Sequence, residues 1–165
     1  MIQETALSLF YQRYMAYFSG CIFGLIKGKV SPKLLQAQKE FLAATQDVLN
    51  YPDFDESDAL IESIAQLTQS IHQLVKTGFS SEIRGELHHP LEDLLNRNIA
   101  YLNSLDPRAK NDPILFALED EIESISEIQR ECEIELPEDA AALSSLLANL
   151  KDLALCMHSL GSLSQ

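Results

Sequence analysis

An all-α fold is predicted for this chain: a compact bundle of about six amphipathic helices forming a single domain over residues 1–165. Three observations predict it. Apolar residues recur at spacings of three and four along most of the chain, the period of one helix face. Pro32, Pro90, Pro113 and Pro137 each precede such a pattern, and proline suits the first helical position, where its missing N–H costs nothing. No segment alternates apolar and polar residues at the period of a strand. A short α-solenoid of stacked helix pairs is the alternative arrangement.

The first helix is expected over roughly Glu4 to Ile26, with Leu7, Phe10, Tyr14, Phe18, Cys21 and Leu25 on one face. Phe23 and Leu9 lie away from that face, so this helix is apolar nearly all round. Gly20 and Gly24 sit one turn apart, as do Gly24 and Gly28. Glycine inside a soluble helix costs about 1 kcal/mol against alanine, which close packing by a second helix would justify. Two readings follow for Phe10, Tyr14, Phe18, Gly20, Phe23 and Gly24: a central helix buried within the fold, or a homodimer interface.

The second helix runs from Pro32, capped by Ser31, to about Leu49. A loop over 50–56 leads to a third helix, with Asp55 or Ser57 as its cap, ending before Gly78. In it, Leu60, Ile64, Leu67, Ile71 and Leu74 form a coiled-coil-like seam. Residues 78–89 read as the longest connection, and Pro90 to Leu105 as the fourth helix. After a turn at 106–112, the fifth helix starts at Pro113. The sixth starts at Pro137 and ends near Gly161. The most apolar run, Tyr14 to Ile26, is 13 residues long. A bilayer span needs about 20, so no membrane span is expected. No secretory signal pattern is seen at the N-terminus.

The formal net charge of -13 is unevenly placed, since residues 1–50 hold five basic and three acidic residues. The remainder holds the other seven basic and 22 acidic residues. A nucleic-acid partner is excluded on this reading, because phosphates need a basic surface. A protein partner, of basic character, fits better. The three cysteines, Cys21, Cys132 and Cys156, fall in apolar helical patterns. They read as reduced core thiols of a cytoplasmic protein.

Five glutamates, Glu119, Glu123, Glu127, Glu131 and Glu135, stand four residues apart. At about 100° per residue the first four fan across the polar side of the fifth helix, opposite Leu115, Leu118, Ile122, Ile125 and Cys132. The helix should end near Arg130 to Cys132, which takes Glu135 out of the ladder. Like charges at i,i+4 cost roughly 0.2–0.5 kcal/mol per pair, and acids near a helix C-terminus oppose the macrodipole. Such a breach of local rules marks Glu119, Glu123, Glu127 and Glu131 as a candidate surface for a basic partner. A merely solvated face is the plainer account. Glu121 falls at the edge of the apolar face, and Asn98 falls among Leu94, Leu95, Ile99 and Leu102 of the fourth helix. Both are candidate buried polar anchors, which must find partners. His72 and His158 read as histidines at the boundary of an apolar face.

Two strings resemble known sites. Glu119-Asp120-Glu121-Ile122-Glu123 resembles the E-[ED]-x-x-E string of all-helical nucleotide pyrophosphatases of the MazG type. That resemblance covers five residues and implies Mg²⁺ held against a triphosphate. It also calls for a second acidic pair on a following helix. Glu135-Leu136-Pro137-Glu138 is the nearest counterpart, and it straddles a proline turn. Arg84 to His89 is similar to the R-x4-6-H string of HEPN ribonucleases. Gly85 and Pro90 bracket it and place it in a loop, with His89 capping the fourth helix. Glu86 and His89 give one E-x-x-H, where a di-iron bundle needs two.

No catalytic residue, metal ligand or cofactor is assigned from the sequence. The expected function is a non-enzymatic protein-interaction module (an adaptor, inhibitor or small acidic chaperone) that binds through helical grooves and an acidic face. Bulk properties alone resemble those of bacterial secretion chaperones. The alternative is a Mg-dependent nucleotide pyrophosphohydrolase in which Glu119 and Glu123 converge with other acids.

Overall fold

Six helices run up and down: α1 (Ile2–Lys27), α2 (Pro32–Leu49), α3 (Asp55–Thr77), α4 (Ser81–Ser104), α5 (Glu119–Cys132) and α6 (Pro137–Ser164). The computed structural model describes residues 2–50, 55–104 and 119–164, with side chains for 6–50, 58–103 and 119–160. The expected helix start at Pro113, the 106–112 turn, and Leu115 and Leu118 lie outside those residues.

Local chemistry sets the corners. α1 stops at Gly28, whose φ of 71° only glycine adopts without strain, and its N–H reaches the Gly24 carbonyl at 2.8 Å. Ser31 then caps α2, its Oγ accepting from the Lys33 N–H at 3.2 Å, with Pro32 in the first turn. α3 ends the same way as α1, at Gly78 with φ 75°. Ser80 starts α4, its Oγ accepting from the Ile83 N–H at 3.4 Å.

Helix α1 packs on α2, α3 and α4, while α6 packs on α3 and α5, and α5 also on α4; Ser8, Gln12, Ala16, Phe23 and Lys27 keep one side of α1 exposed. The Tyr101 hydroxyl donates to the Met157 carbonyl at 3.0 Å, which ties α4 to α6. Thus α1, α3, α6 and α4 form a ring of four. α2 covers its α1–α3 edge, and α5 covers the opposite α4–α6 edge. Contacts such as α1 with α4 and α3 with α6 are long-range, so the fold is a bundle. In a solenoid each unit touches only its neighbours.

The core starts from α1. Phe10, Tyr14, Tyr17, Phe18, Cys21 and Ile22 are all at most 1% exposed. Phe41 of α2 sits among them, with ring centroids 5.4 Å from Phe10 and 5.5 Å from Tyr17. Burying each such ring contributes on the order of 2–3 kcal/mol. The glycines are explained within the fold. A Cβ on Gly20 would stand 2.9 Å from Leu34 Cδ1, and one on Gly24 only 2.6 Å from Val75 Cγ1. They let α2 and α3 approach α1. Phe10, Tyr14, Phe18 and Gly24 are therefore buried in their own chain and cannot form a dimer face. Gly20 is half-buried, and Phe23 alone of that set is well exposed.

Several boundaries differ from expectation. Residues 81–89 are helical and Pro90 is inside α4, not at its start. Ile83, Leu87, Leu91, Leu94 and Leu95 are all buried, and this continuous stripe holds the helix through proline. His89 therefore caps nothing. Asp55 is the first residue of α3, so Ser57 lies inside it, and α6 continues past Gly161 to Ser164. The α3 seam is also wider than expected. Leu60, Leu67 and Leu74 are only half-buried, and Ile61, Thr68, His72 and Val75 are buried beside Ile64 and Ile71. The reason is that α3 is gripped on two sides, by α6 and by α1 with α2.

Among the described residues, the helix long and apolar enough to cross a membrane is α6 (Pro137–Leu160, mean hydropathy 1.3) and not α1. Its Leu143, Leu146, Leu150, Leu153 and Met157 are buried in the core, while 39% of that stretch as a whole is buried.

Candidate functional site

The polar side of α5 is the most distinctive surface. Between 119 and 139 the chain carries ten acidic residues and one basic one, Arg130. Ile125, Ile128 and Cys132 anchor α5 in the core, which turns Glu119, Glu123, Glu127 and Glu131 outward. All four are exposed. None forms an ion pair among the described residues, where the arginine nearest the ladder's start, Arg97, is engaged by Asp120 and Glu121. As expected, α5 ends at Cys132 and Glu135 leaves the ladder.

Glu121 and Asn98 are buried as the helical wheel requires, at 4% and 0% exposure. The sequence did not show the partner of Glu121. Arg97 reaches over from α4, its Nε 2.5 Å from Glu121 Oε1 and a terminal nitrogen 3.5 Å from Asp120. Glu121 Oε2 has no partner. Arg97 is one of two arginines on α4, with Arg84, and nothing in the sequence singles it out. This pair locks the acidic helix onto α4.

A second polar seam runs through the core. The Tyr17 hydroxyl lies 2.6 Å from His72 Nδ1. His72 is 1% exposed, so it is a core residue and not the boundary residue expected. His158, by contrast, is exposed. Burial, and then Lys76 one turn on, lower the His72 pKa. The Tyr14 hydroxyl faces the Asn98 amide closely enough to temper the rise that burial imposes on its pKa. The pair nonetheless falls short of a formed hydrogen bond, and both Asn98 side-chain atoms lack partners.

Burial also keeps the thiols protonated. The Cys21 pKa is pushed up to about 12. Cys132 is raised by burial and by Glu86, Asp139, Glu131 and Glu82 around it, and Cys156 by burial and Asp152. A raised pKa removes the thiolate a nucleophile needs.

The two strings with family resemblances do not assemble. Glu119 opens α5 and Glu135 lies beyond its end. Fourteen helical residues at 1.5 Å rise separate them by about 20 Å, so the second acidic pair does not meet the first within one chain. Among the described residues, no group of three or more His, Cys, Asp or Glu side chains is placed to hold a metal. Arg84 and His89 are both on α4, not in a loop. Their five-residue separation turns them about 140° apart, with Arg84 against Gly28 and His89 exposed beside Asp93 at 3.3 Å.

A shallow groove of about 390 Å³ lies between α3 and α6, lined by Ser63, Gln66, Leu67, Ser70, Asp152, Leu155 and Cys156. It holds a single titratable acid and no convergent catalytic set. Comparison with protein-family models, with characterised proteins and with solved structures finds no match.

Proposed function

We propose that the chain is a non-enzymatic interaction module that captures a basic protein along α5. The observation that carries this reading is the exposed, unneutralised row Glu119, Glu123, Glu127 and Glu131. Its members rise about 6 Å per step, which suits a partner helix bearing Lys or Arg at the same interval. Complementary charge of this kind speeds encounter and sets register. The Arg97–Glu121 pair fixes the α5 backbone against α4, so only side chains need to order on binding. Within one chain the two acidic pairs lie at opposite ends of α5. That supports an adaptor or inhibitor role over pyrophosphohydrolysis.

The test is capture of host proteins on the immobilised chain at about 0.15 M salt, where only close charge pairs survive screening. A basic protein bound by the wild type should be held at least about tenfold more weakly by the triple variant Glu119→Gln/Glu123→Gln/Glu127→Gln. Equal capture by both would remove the acidic face from the function.

A further inference from the structure

One end of the bundle gathers three corners. Val75 of α3 lies against Gly24 of α1, and Arg84 of α4 against Gly28. The Ser80 N–H donates to Asp139 of α6 at 3.3 Å. The α1–α2, α3–α4 and α5–α6 turns are thus side by side.

This end is electrically divided. On the edge of α1, α2 and α3 it presents Lys27, Lys29, Lys33 and Lys76, all exposed. No acidic residue lies between Glu4 and Glu40, or between Glu62 and Glu82. On the edge of α4, α5 and α6 it presents Glu82, Glu86, Glu133, Glu135 and Glu138, again all exposed, against two cations, the half-buried Arg84 and the exposed Arg130. Exposed apolar side chains collect at the same end. Phe23 at 47%, Val30 at 42%, Leu35 at 48% and Ile134 at 92% all lie in its turns or within about one helical turn of them. Ile134 sits between two glutamates in a tight turn, and nothing in its own fold covers it.

We propose that this end docks a second copy of the chain, as an end-to-end two-fold dimer. Lys27, Lys29 and Lys33 of each copy meet Glu133, Glu135 and Glu138 of the other, around Val30 and Ile134. The symmetry follows from the charge division. A two-fold axis lying in the contact plane, along the line between the halves, sets each lysine edge on a glutamate edge. Such an isologous contact closes at two copies. Six helix ends of about 10 Å diameter cover roughly 500 Å², so a pair of ends buries about 1,000 Å², near the lower bound for a specific contact. The dimer is therefore a weak one, in the micromolar range. It leaves Glu119, Glu123 and Glu127 free and does not depend on what α5 binds.

Sedimentation velocity at about 150 mM salt, over about 10–300 µM chain, tests this. At that ionic strength charges beyond about 8 Å are screened, so net repulsion does not mask the contact. The wild type should move from 18.5 kDa toward twice that mass. Lys29→Glu alone, and Glu133→Lys alone, each place two like-charge contacts in the dimer and should weaken it about tenfold or more. An equimolar mixture of these two variants should dimerise again, because each new charge meets its opposite across the axis. Ile134→Asp should abolish association. Circular dichroism of the variants, all at exposed turn positions, should match the wild type. A wild type that stays at 18.5 kDa would overturn the proposal. So would a dimer indifferent to these substitutions but broken by Leu155→Asp on α6.

Discussion

Replacing Arg97 by Leu should loosen the acidic helix from the bundle. Its guanidinium lies 2.5 Å from Glu121, a carboxylate that is 4% exposed and whose second oxygen has no partner. Removing one member of a buried ion pair costs about 3–5 kcal/mol, because the other charge is left desolvated. The Arg97 side chain is 51% exposed, so water enters as it leaves and the cost falls to about 2–3 kcal/mol. Its contact with Asp120, an 85% exposed side chain at 3.5 Å, adds well under about 1 kcal/mol. With an m-value of about 2 kcal/mol/M, the urea midpoint should drop by about 1–1.5 M. Glu121→Leu releases Arg97 to solvent and should cost less than about 1 kcal/mol. The double variant Arg97→Leu/Glu121→Leu should lie close to the wild type, giving a coupling energy of about 2–4 kcal/mol. A midpoint for Arg97→Leu within about 0.2 M of the wild type, or strictly additive effects in the double variant, would refute the argument.

The same reasoning yields three further expectations. The triple variant Glu119→Gln/Glu123→Gln/Glu127→Gln relieves three like-charge contacts on α5 and should stabilise the isolated chain by about 1 kcal/mol at low salt; the gain should vanish near 1 M salt, and loss of stability would contradict a solvent-facing ladder. Gly24→Ala places a methyl 2.6 Å from Val75 Cγ1; overpacking of about 1–3 kcal/mol outweighs a helical gain of about 1 kcal/mol, and in a Val75→Ala background the same change should become neutral or favourable by thermal unfolding. For His72 the folded-state pKa lies below the ordinary 6.5, so the unfolded chain takes up the proton first. The stability due to the neutral, buried ring is complete above about pH 6.5 and is lost as pH falls from there through the folded value, at up to about 1.4 kcal/mol per pH unit. Urea titrations at pH 7.5 and 5.5 should show that loss in the wild type and a reduced loss in His72→Phe; identical pH profiles would show that another group is responsible.

The residues that misled the sequence reading share a cause. Pro90 and Gly85 carry strong local signals for a helix boundary, yet α4 runs through both. Propensity near a proline is a matter of a few kcal/mol, and burial of Ile83, Leu87 and Leu91 on both sides of it exceeds that sum. The α3 seam was misplaced for a related reason. A wheel assumes one partner, and α3 has partners on two sides, which is why His72 and Thr68 are inside.

What the sequence by itself determined was the content and polarity of each helix: their number, the Ser31 cap, the stop before Gly78, the outward ladder of α5, and the burial of Asn98 and Glu121. These follow from a fixed 100° turn per residue, which sorts side chains by face without knowledge of any neighbour. Only the tertiary structure decided which faces meet. The Arg97–Glu121 and Tyr17–His72 pairs join residues 24 and 55 positions apart, and the lysine and glutamate corners come together through three separate turns. Such juxtapositions depend on how the ring of α1, α3, α6 and α4 closes. That closure is a sum of many packing contacts, none of which is encoded at any single position.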